Sequence, residues 1–172
     1  MAAGFDILAF DFRNHGSSDS HAEFDPLHWL SEYEVEDIQS ALKFVASRDD
    51  LKDQPLGLFG ISRGAGASLA VAAQHNDIKC IACEGTYSSH LLMSLYSERW
   101  VSLFAPAGRG DLYPQWHVEL TLAGARWLIQ RKRHFRFVKL ERYLPKLKDR
   151  KVLMIVGKRV SYARPEIAEQ IY

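Results

Sequence analysis

The stretch from Leu56 to Ala73, LGLFGISRGAGASLAVAA, constrains the fold more than any other part of the sequence. An apolar run of β-forming residues ends in Gly60-Ile61-Ser62-Arg63-Gly64, and small residues suited to a helix follow. This pattern predicts a strand, a sharp turn and a helix. In a GxSxG turn the serine adopts a strained backbone conformation, and the flanking glycines are expected because a Cβ there would collide with the neighbouring strand or helix.

Ser62 is the candidate nucleophile of this turn. The helix that begins there directs its first N–H groups and the positive end of its dipole toward the same point. The backbone N–H of Arg63 is therefore the candidate donor to a developing oxyanion. The alternative is a strand-to-helix turn that needs its glycines only for tight packing. The β-type run before the turn and the helical run after it favour the catalytic interpretation.

Length and charge exclude several classes of partner. The 172 residues suffice for one domain with a buried core. The 22 basic and 21 acidic residues nearly cancel, so no overall charge favours nucleic acid or a membrane surface. Acidic residues concentrate in the first third and basic ones between Arg126 and Lys151, which we interpret as two solvated helical faces. We predict neither a nucleic-acid nor a membrane partner.

The cysteines and histidines give no sign of a metal or cofactor. Cys80 and Cys83 lie in the apolar run 78–83, and a strand places positions three apart on opposite faces. That arrangement suits neither a disulfide nor a shared metal, so both are predicted to be buried structural thiols. The sequence lacks HxH or HExxH spacing and a phosphate-cradling loop, and we predict no cofactor. It also lacks a signal-peptide pattern and a long apolar run, which predicts a cytoplasmic protein.

The remaining patterns predict alternating strands and helices. Phe5–Phe12 is predicted to be a buried parallel strand, and Ser31–Arg48 a helix that begins with a capping box of Ser31 and Glu34. Two further strands are expected at Ile78–Cys83 and Lys151–Val156. Between them the pattern favours helices only, at Ser89–Phe104, His117–Arg131 and Phe137–Leu147. Such βαβαβ order implies a parallel sheet with right-handed crossovers.

Two motifs together resemble the α/β-hydrolase superfamily. The turn Asp11-Phe12-Arg13-Asn14-His15-Gly16-Ser17-Ser18 is similar to the DxRGHGxS turn of that family, with Asn14 where glycine is usual, and the GxSxG turn is the second motif. Asn tolerates positive φ better than most residues, so the first turn can survive the change. In the family this turn is structural, and His15 is not predicted to be a catalytic base. The runs GLFGISRGA and YLPKLKDRKVLMIVG are most similar to the dienelactone-hydrolase and serine-aminopeptidase-like group.

The resemblance implies a partial α/β-hydrolase fold, a mostly parallel sheet with helices on both faces, from family strand four to the helix after strand seven. It implies a serine hydrolase of carboxylic esters, thioesters or amides that takes a small acyl substrate. The family places its triad acid in GxxD after the last strand, where this chain has Gly157-Lys158-Arg159-Val160. The triad histidine and the second oxyanion N–H would lie outside residues 1–172. We therefore expect weak or no activity from this chain alone, and the alternative is a non-catalytic binding protein.

The same topology yields three further expectations. Residues 88–148 would form a helical lid-like insertion within one domain, 1–172, and its aromatic residues would wall the site: Tyr96, Trp100, Phe104, Trp116 and Trp127. Ordinary helix-on-sheet packing is the alternative. We call the GxSxG turn, residues 60–64, the elbow. The strand that leads into the elbow should lie between the Phe5 side and the Ile78 strand, with the Lys151 strand outermost. Exposed sheet edges would favour oligomerisation. A substitute triad of Ser62, His90 and Glu84 is a less favoured possibility.

Overall fold

A computed structural model of the chain describes residues 4–24, 29–104 and 114–157 together with 169 and 171. Its centre is a sheet of three parallel strands: β1 (Leu56–Ile61), β2 (Ile78–Glu84) and β3 (Lys151–Ile155). The strand order is β1-β2-β3, and both pairings are parallel. The α/β fold class and the order of these strands are therefore as the sequence predicts, with the Lys151 strand outermost.

Four α-helices have both ends within the described ranges: α1 (Glu32–Ser47), α2 (Arg63–Ala72), α3 (Ser89–Phe104) and α4 (Gln115–Lys132). The predicted helices agree with α1, α3 and α4 to within two residues at each end. The capping box at the start of α1 is present, with the Ser31 N–H donating to the Glu34 carboxylate at 2.8 Å.

The predicted helix over 137–147 is wrong. Two short 3-10 helices occupy its place, at Leu140–Arg142 and Leu144–Leu147. Phe137 forms an antiparallel bridge with Ser31, and the Val138 N–H donates to the Leu30 carbonyl at 3.1 Å, so the start of this segment is extended. A proline at 145 also disfavours an α conformation at the residue before it.

Helix α2 forms the centre of the core. Each of its residues from 65 to 72 is buried, and the helix packs against β1, β2 and α1. Small side chains permit this close approach: a Cβ added to Gly66 would lie 3.0 Å from Leu30 Cδ2. The largest fully buried apolar side chains include Leu69, Ile78 and Ile81. The run of alanines and glycines after the turn thus serves packing as well as helix formation.

The prediction of a buried strand at Phe5–Phe12 is wrong. These residues form no ladder with the described strands, and Phe5, Ile7, Leu8 and Phe10 are exposed by 44 to 73%. The segment instead lines the same groove as β1, which is an edge strand in the described sheet. An apolar run becomes a strand only if a partner strand satisfies its backbone groups, and no described strand does so.

The two cysteines lie on opposite faces of β2, as predicted, but only Cys83 is buried. Its thiol approaches the Ala65 carbonyl at 3.8 Å, and burial raises its pKa to about 11. Cys80 is exposed, contrary to the prediction, because it lines the groove on the face of the sheet away from α2. On that face β1 also exposes Phe59 and Ile61.

Candidate active site

The turn between β1 and α2 has the strained geometry that the sequence predicts. Ser62 has φ of 54° and ψ of −117°, in the left-handed half of the map that side chains other than glycine rarely occupy. Its N–H donates to the Glu84 carbonyl at 2.7 Å, and its own carbonyl accepts from the Ala65 N–H at 3.1 Å. The serine is therefore held between the carboxyl end of β2 and the first turn of α2.

The two glycines of the motif have different roles. A Cβ on Gly60 would lie 2.5 Å from the Gly64 carbonyl oxygen and 2.6 Å from the Ala65 nitrogen, which no relaxation of a side chain can relieve. The predicted collision is confirmed there. It is wrong for Gly64, where a Cβ would meet only the Phe12 ring at 3.8 Å, an ordinary contact. Gly64 lines the groove, so its side of the turn has room.

The Arg63 side chain anchors the turn to two other segments. It is 17% exposed, and its Nη1 lies 3.5 Å from Oε1 of Glu34, whose side chain is 2% exposed. Its Nη2 lies 2.7 Å from His15 Nε2. The backbone N–H of Arg63 begins α2, where helix geometry provides donors without intrahelical acceptors. The guanidinium thus has a structural role, and the oxyanion role of the Arg63 N–H stays a prediction.

Glu34 is a buried carboxylate that the sequence identifies only as a helix cap. Its Oε2 accepts from both the N–H and the hydroxyl of Ser31, at 2.8 and 2.5 Å, while Oε1 faces Arg63. Burial of a charge is tolerated when the charge is paired and its lone pairs are hydrogen-bonded. Glu34 therefore connects the start of α1 to the start of α2.

His15 has a structural role, as predicted. Its Nδ1 lies 2.8 Å from the Arg13 carbonyl, which can only accept, and its Nε2 faces the Arg63 guanidinium, which can only donate. The ring is therefore the neutral tautomer with hydrogen on Nδ1, and both nitrogens are occupied. Asn14, just before it, has φ of 59°, so the predicted left-handed turn at this position is confirmed.

Tyr87 is a residue of the site that the sequence reasoning missed. It is 9% exposed, and its phenol lies close enough to Ser62, Arg63 and Glu34 for all three to affect its pKa. Burial raises its pKa, and the nearby Arg63 charge opposes that shift. The only sequence signal is position: Tyr87 follows β2 at the carboxyl edge of a parallel sheet, the edge that also holds Ser62.

Ser62, Arg63 and Tyr87 line one groove of about 2460 Å³. Helix α3 contributes Tyr96 and Trp100 to its wall. Trp116 and Trp127, predicted to belong to the same wall, are instead 66% and 59% exposed on α4, which buries none of its residues. The Phe104 side chain lies outside the described residues. Residues 88–148 as a lid therefore remain a prediction.

The substitute triad is not assembled. Glu84 lines the groove of Ser62, but His90 lines a second cavity of about 580 Å³ and its Nδ1 lies 3.5 Å from Arg126 Nη1. Val160, at the family's triad-acid position, lies outside the described residues. Within the described ranges, no group of three His, Cys, Asp or Glu residues is placed to hold a metal ion. No helix there has the length and apolarity needed to cross a membrane.

Comparisons with solved structures identify esterase-like neighbours of the fold. An esterase of Pyrococcus furiosus superposes with a TM-score of 0.64 and 18% identity over 98% of this chain and 55% of the esterase. An α/β hydrolase enzyme from a Medee basin deep-sea metagenome library gives a TM-score of 0.53 and 16% identity over 94% of this chain and 64% of that enzyme. Identities this low support the fold alone.

Comparisons of sequence find a partial relative and a family profile. An uncharacterized 31.7 kDa protein of the traX-finO intergenic region of Escherichia coli is 32% identical over 82 residues, which is 48% of this chain. The chain spans 27% of the length of that relative. A family profile described as the alpha/beta hydrolase fold matches residues 1–138. Because this match covers most of its length and the sheet, turn and helices agree with it, the chain belongs to the α/β-hydrolase family.

Proposed function

We propose that this chain carries the nucleophile of a serine hydrolase site for carboxylic esters, thioesters or amides with small acyl groups. Ser62 attacks the carbonyl carbon, and the Arg63 N–H donates a hydrogen bond to the oxyanion that forms. The observation that carries this proposal is the backbone of Ser62, held at φ of 54° in the lining of a groove. A strained non-glycine residue costs about 1 to 3 kcal/mol and persists where the surrounding structure holds it.

The groove supports an acyl substrate in particular. Side chains of the Phe5–Phe12 segment, β1 and α3 give it mainly apolar walls, with Ser62 and Tyr87 among the polar groups on its surface. Ligand sites of small molecules share this combination of apolar walls and few convergent polar groups. The net charge of only +1 and the lack of a metal-ligand pattern in the sequence make nucleic acid and metal-dependent chemistry poorer fits, and we propose neither.

We further propose that the chain alone turns over substrate weakly. A serine hydroxyl needs a base within about 3 Å that is oriented by a third group. Among the residues that the structure describes, no histidine lines the groove of Ser62, and His15 has both ring nitrogens occupied. Loss of the base alone costs on the order of a million-fold in kcat in a dissected serine protease.

The lack of a histidine among the described residues of the groove also favours a second candidate function. A groove that binds small acyl compounds through its apolar walls, without hydrolysing them, requires no base. In that case the strained turn would be retained for packing, and Ser62 would react no faster than an ordinary surface serine.

Covalent labelling by a fluorophosphonate separates the two candidates. We expect the native chain to be labelled slowly at Ser62, because no described base activates it, but faster than at its other serines, and we expect S62A to be unlabelled at this position. Mass spectrometry of the digested protein locates the label. S97A is the matched control, because Ser97 lines the same groove from the ordinary helix α3. Labelling that persists in S62A, or that disappears in S97A, would contradict the proposal. Turnover of p-nitrophenyl acetate no faster than that of S62A would support the weak-turnover proposal.

A further inference from the structure

We propose that the phenolic hydroxyl of Tyr87 is a second donor to the oxyanion of the Ser62 site, beside the Arg63 N–H. The inference rests on the proposed function of Ser62 as nucleophile. It assigns a catalytic role to a residue on the loop between β2 and α3. In this arrangement a side chain of the chain itself completes the pair of donors that acyl transfer requires.

The first support is the position of the hydroxyl. Tyr87 and Ser62 line the same groove, and the Ser62 side chain is one of the groups close enough to the phenol to lower its pKa. When Ser62 Oγ bonds to a carbonyl carbon, its proton passes to water in the open groove, and the carbonyl π electrons move to the carbonyl oxygen. That oxygen is attached to the same carbon as Oγ. A phenol that lies beside Ser62 in the same groove is therefore placed to donate to the new oxyanion after a rotation of its O–H bond.

The second support is the rigidity of the loop. Gly85, which begins it, has φ of 60° and donates its N–H to the Ile155 carbonyl at 2.9 Å, so the loop is fixed to β3. Ser88, which follows Tyr87, is fully buried, and its carbonyl accepts from the Leu92 N–H at 2.9 Å in the first turn of α3. Tyr87 is thus held on both sides, and a donor held in place needs no reorganisation when charge develops.

The third support is the protonation state of the phenol. Burial raises the pKa of Tyr87, with the Glu34 charge acting in the same direction and the Arg63 charge and the Ser62 hydroxyl acting against it. The phenol is therefore protonated at neutral pH and has a hydrogen to donate. A protonated phenol cannot take the proton of Ser62, which makes Tyr87 a donor and not the missing base.

The test is the second-order rate constant of Ser62 labelling by a fluorophosphonate, in which negative charge develops on the phosphoryl oxygen as fluoride leaves. We expect Y87F to react about 100-fold more slowly than the native chain, the lower end of the effect of one lost oxyanion donor. Y33F is the matched control, because the Tyr33 hydroxyl donates to the His134 carbonyl away from the groove. It should react at the native rate, and all three proteins should show the same circular dichroism and Tm.

Each other outcome overturns a specific claim. A Y87F rate within twofold of native overturns the role of Tyr87 and leaves Ser62 as the nucleophile. A native rate that rises with pH in parallel with the ultraviolet absorbance of tyrosinate, and does not rise in Y87F, makes Tyr87 a base and overturns the donor assignment. A native chain unlabelled at Ser62 overturns the proposed function, and with it the role of Tyr87.

Discussion

The Arg63 guanidinium lies 2.7 Å from Nε2 of His15 and 3.5 Å from the buried carboxylate of Glu34. One side chain thus joins three segments: the turn after Phe12, the start of α1, and the elbow. Its own main chain begins α2 directly after Ser62. The ion pair of Arg63 and Glu34 therefore helps to hold the backbone next to the candidate nucleophile. A mutation of Glu34 tests this structural role and leaves Ser62 unchanged.

Replacing Glu34 by Gln should lower the free energy of unfolding by about 3 kcal/mol, since removing one partner of a buried pair leaves the other charge uncompensated. Urea unfolding followed by circular dichroism measures the change. E36Q is the control, because the Glu36 side chain is 52% exposed in its pair with Arg13 and should change stability by less than about 1 kcal/mol. Equal stabilities of E34Q and the native chain would show that the pair contributes nothing.

The two glycines of the elbow should respond oppositely to alanine. G60A should lower the free energy of unfolding by about 3 kcal/mol or prevent folding, because its Cβ would lie 2.5 Å from a backbone oxygen. G64A should be neutral or stabilise by up to about 1 kcal/mol, because alanine is the better helix former and its Cβ has room beside Phe12. Thermal unfolding compares them, and a G64A variant as damaged as G60A would contradict this account.

The sequence predicted features set by neighbouring residues better than features set by long-range contacts. The elbow, the capping box at Ser31 and the helix after Ser62 depend on neighbours within a few residues, so their patterns are visible in the sequence. Phe5–Phe12 has the composition of a strand, but only a partner strand can make it one. Tyr87 lies in the site because β2 ends beside β1. That contact is set by the register of the sheet, which the spacing of residues along the chain does not show.

Cys83 should make stability fall as the pH rises from about 9 to 11. Its folded-state pKa is raised from 9.0 to about 11, so the unfolded chain loses this proton first, and its free energy falls relative to that of the folded chain. The stabilisation is fully present below pH 9. It amounts to about 3 kcal/mol, because the folded and unfolded pKa values of Cys83 differ by about two units. Urea unfolding at several pH values measures it.

C83A should show a shallower decline over that range, but some decline should persist because the pKa of Tyr87 is raised as well. Thiol titration provides an independent check: exposed Cys80 should react with a disulfide reagent in the folded chain, and Cys83 only after unfolding. An unchanged pH profile in C83A would contradict the assignment of this proton to Cys83.

We propose that copies of the chain associate through the exposed side of β1. Phe59 and Ile61 are 65% and 57% exposed on a strand whose outer edge is unpaired within the described sheet. Natural proteins protect such edges with charge, lysine especially. F59K should therefore shift sedimentation velocity profiles toward monomer at a concentration where the native chain associates. W116K, which places the same charge on exposed α4, is the control; if it alone abolished association, the interface would be on α4 and not on the sheet.

The strain at Ser62 should be measurable as a difference between two substitutions that both remove the hydroxyl. Glycine adopts φ of 54° without a steric penalty, whereas alanine retains the Cβ and its strain. The strain of about 1 to 3 kcal/mol is partly offset by the greater entropy of glycine in the unfolded chain. We expect S62G to be more stable than S62A by about 1 kcal/mol in urea unfolding, with neither variant labelled by a fluorophosphonate. If S62A is the more stable of the two, the backbone at this position is relaxed in solution, and the observation that carries the proposed nucleophile is lost.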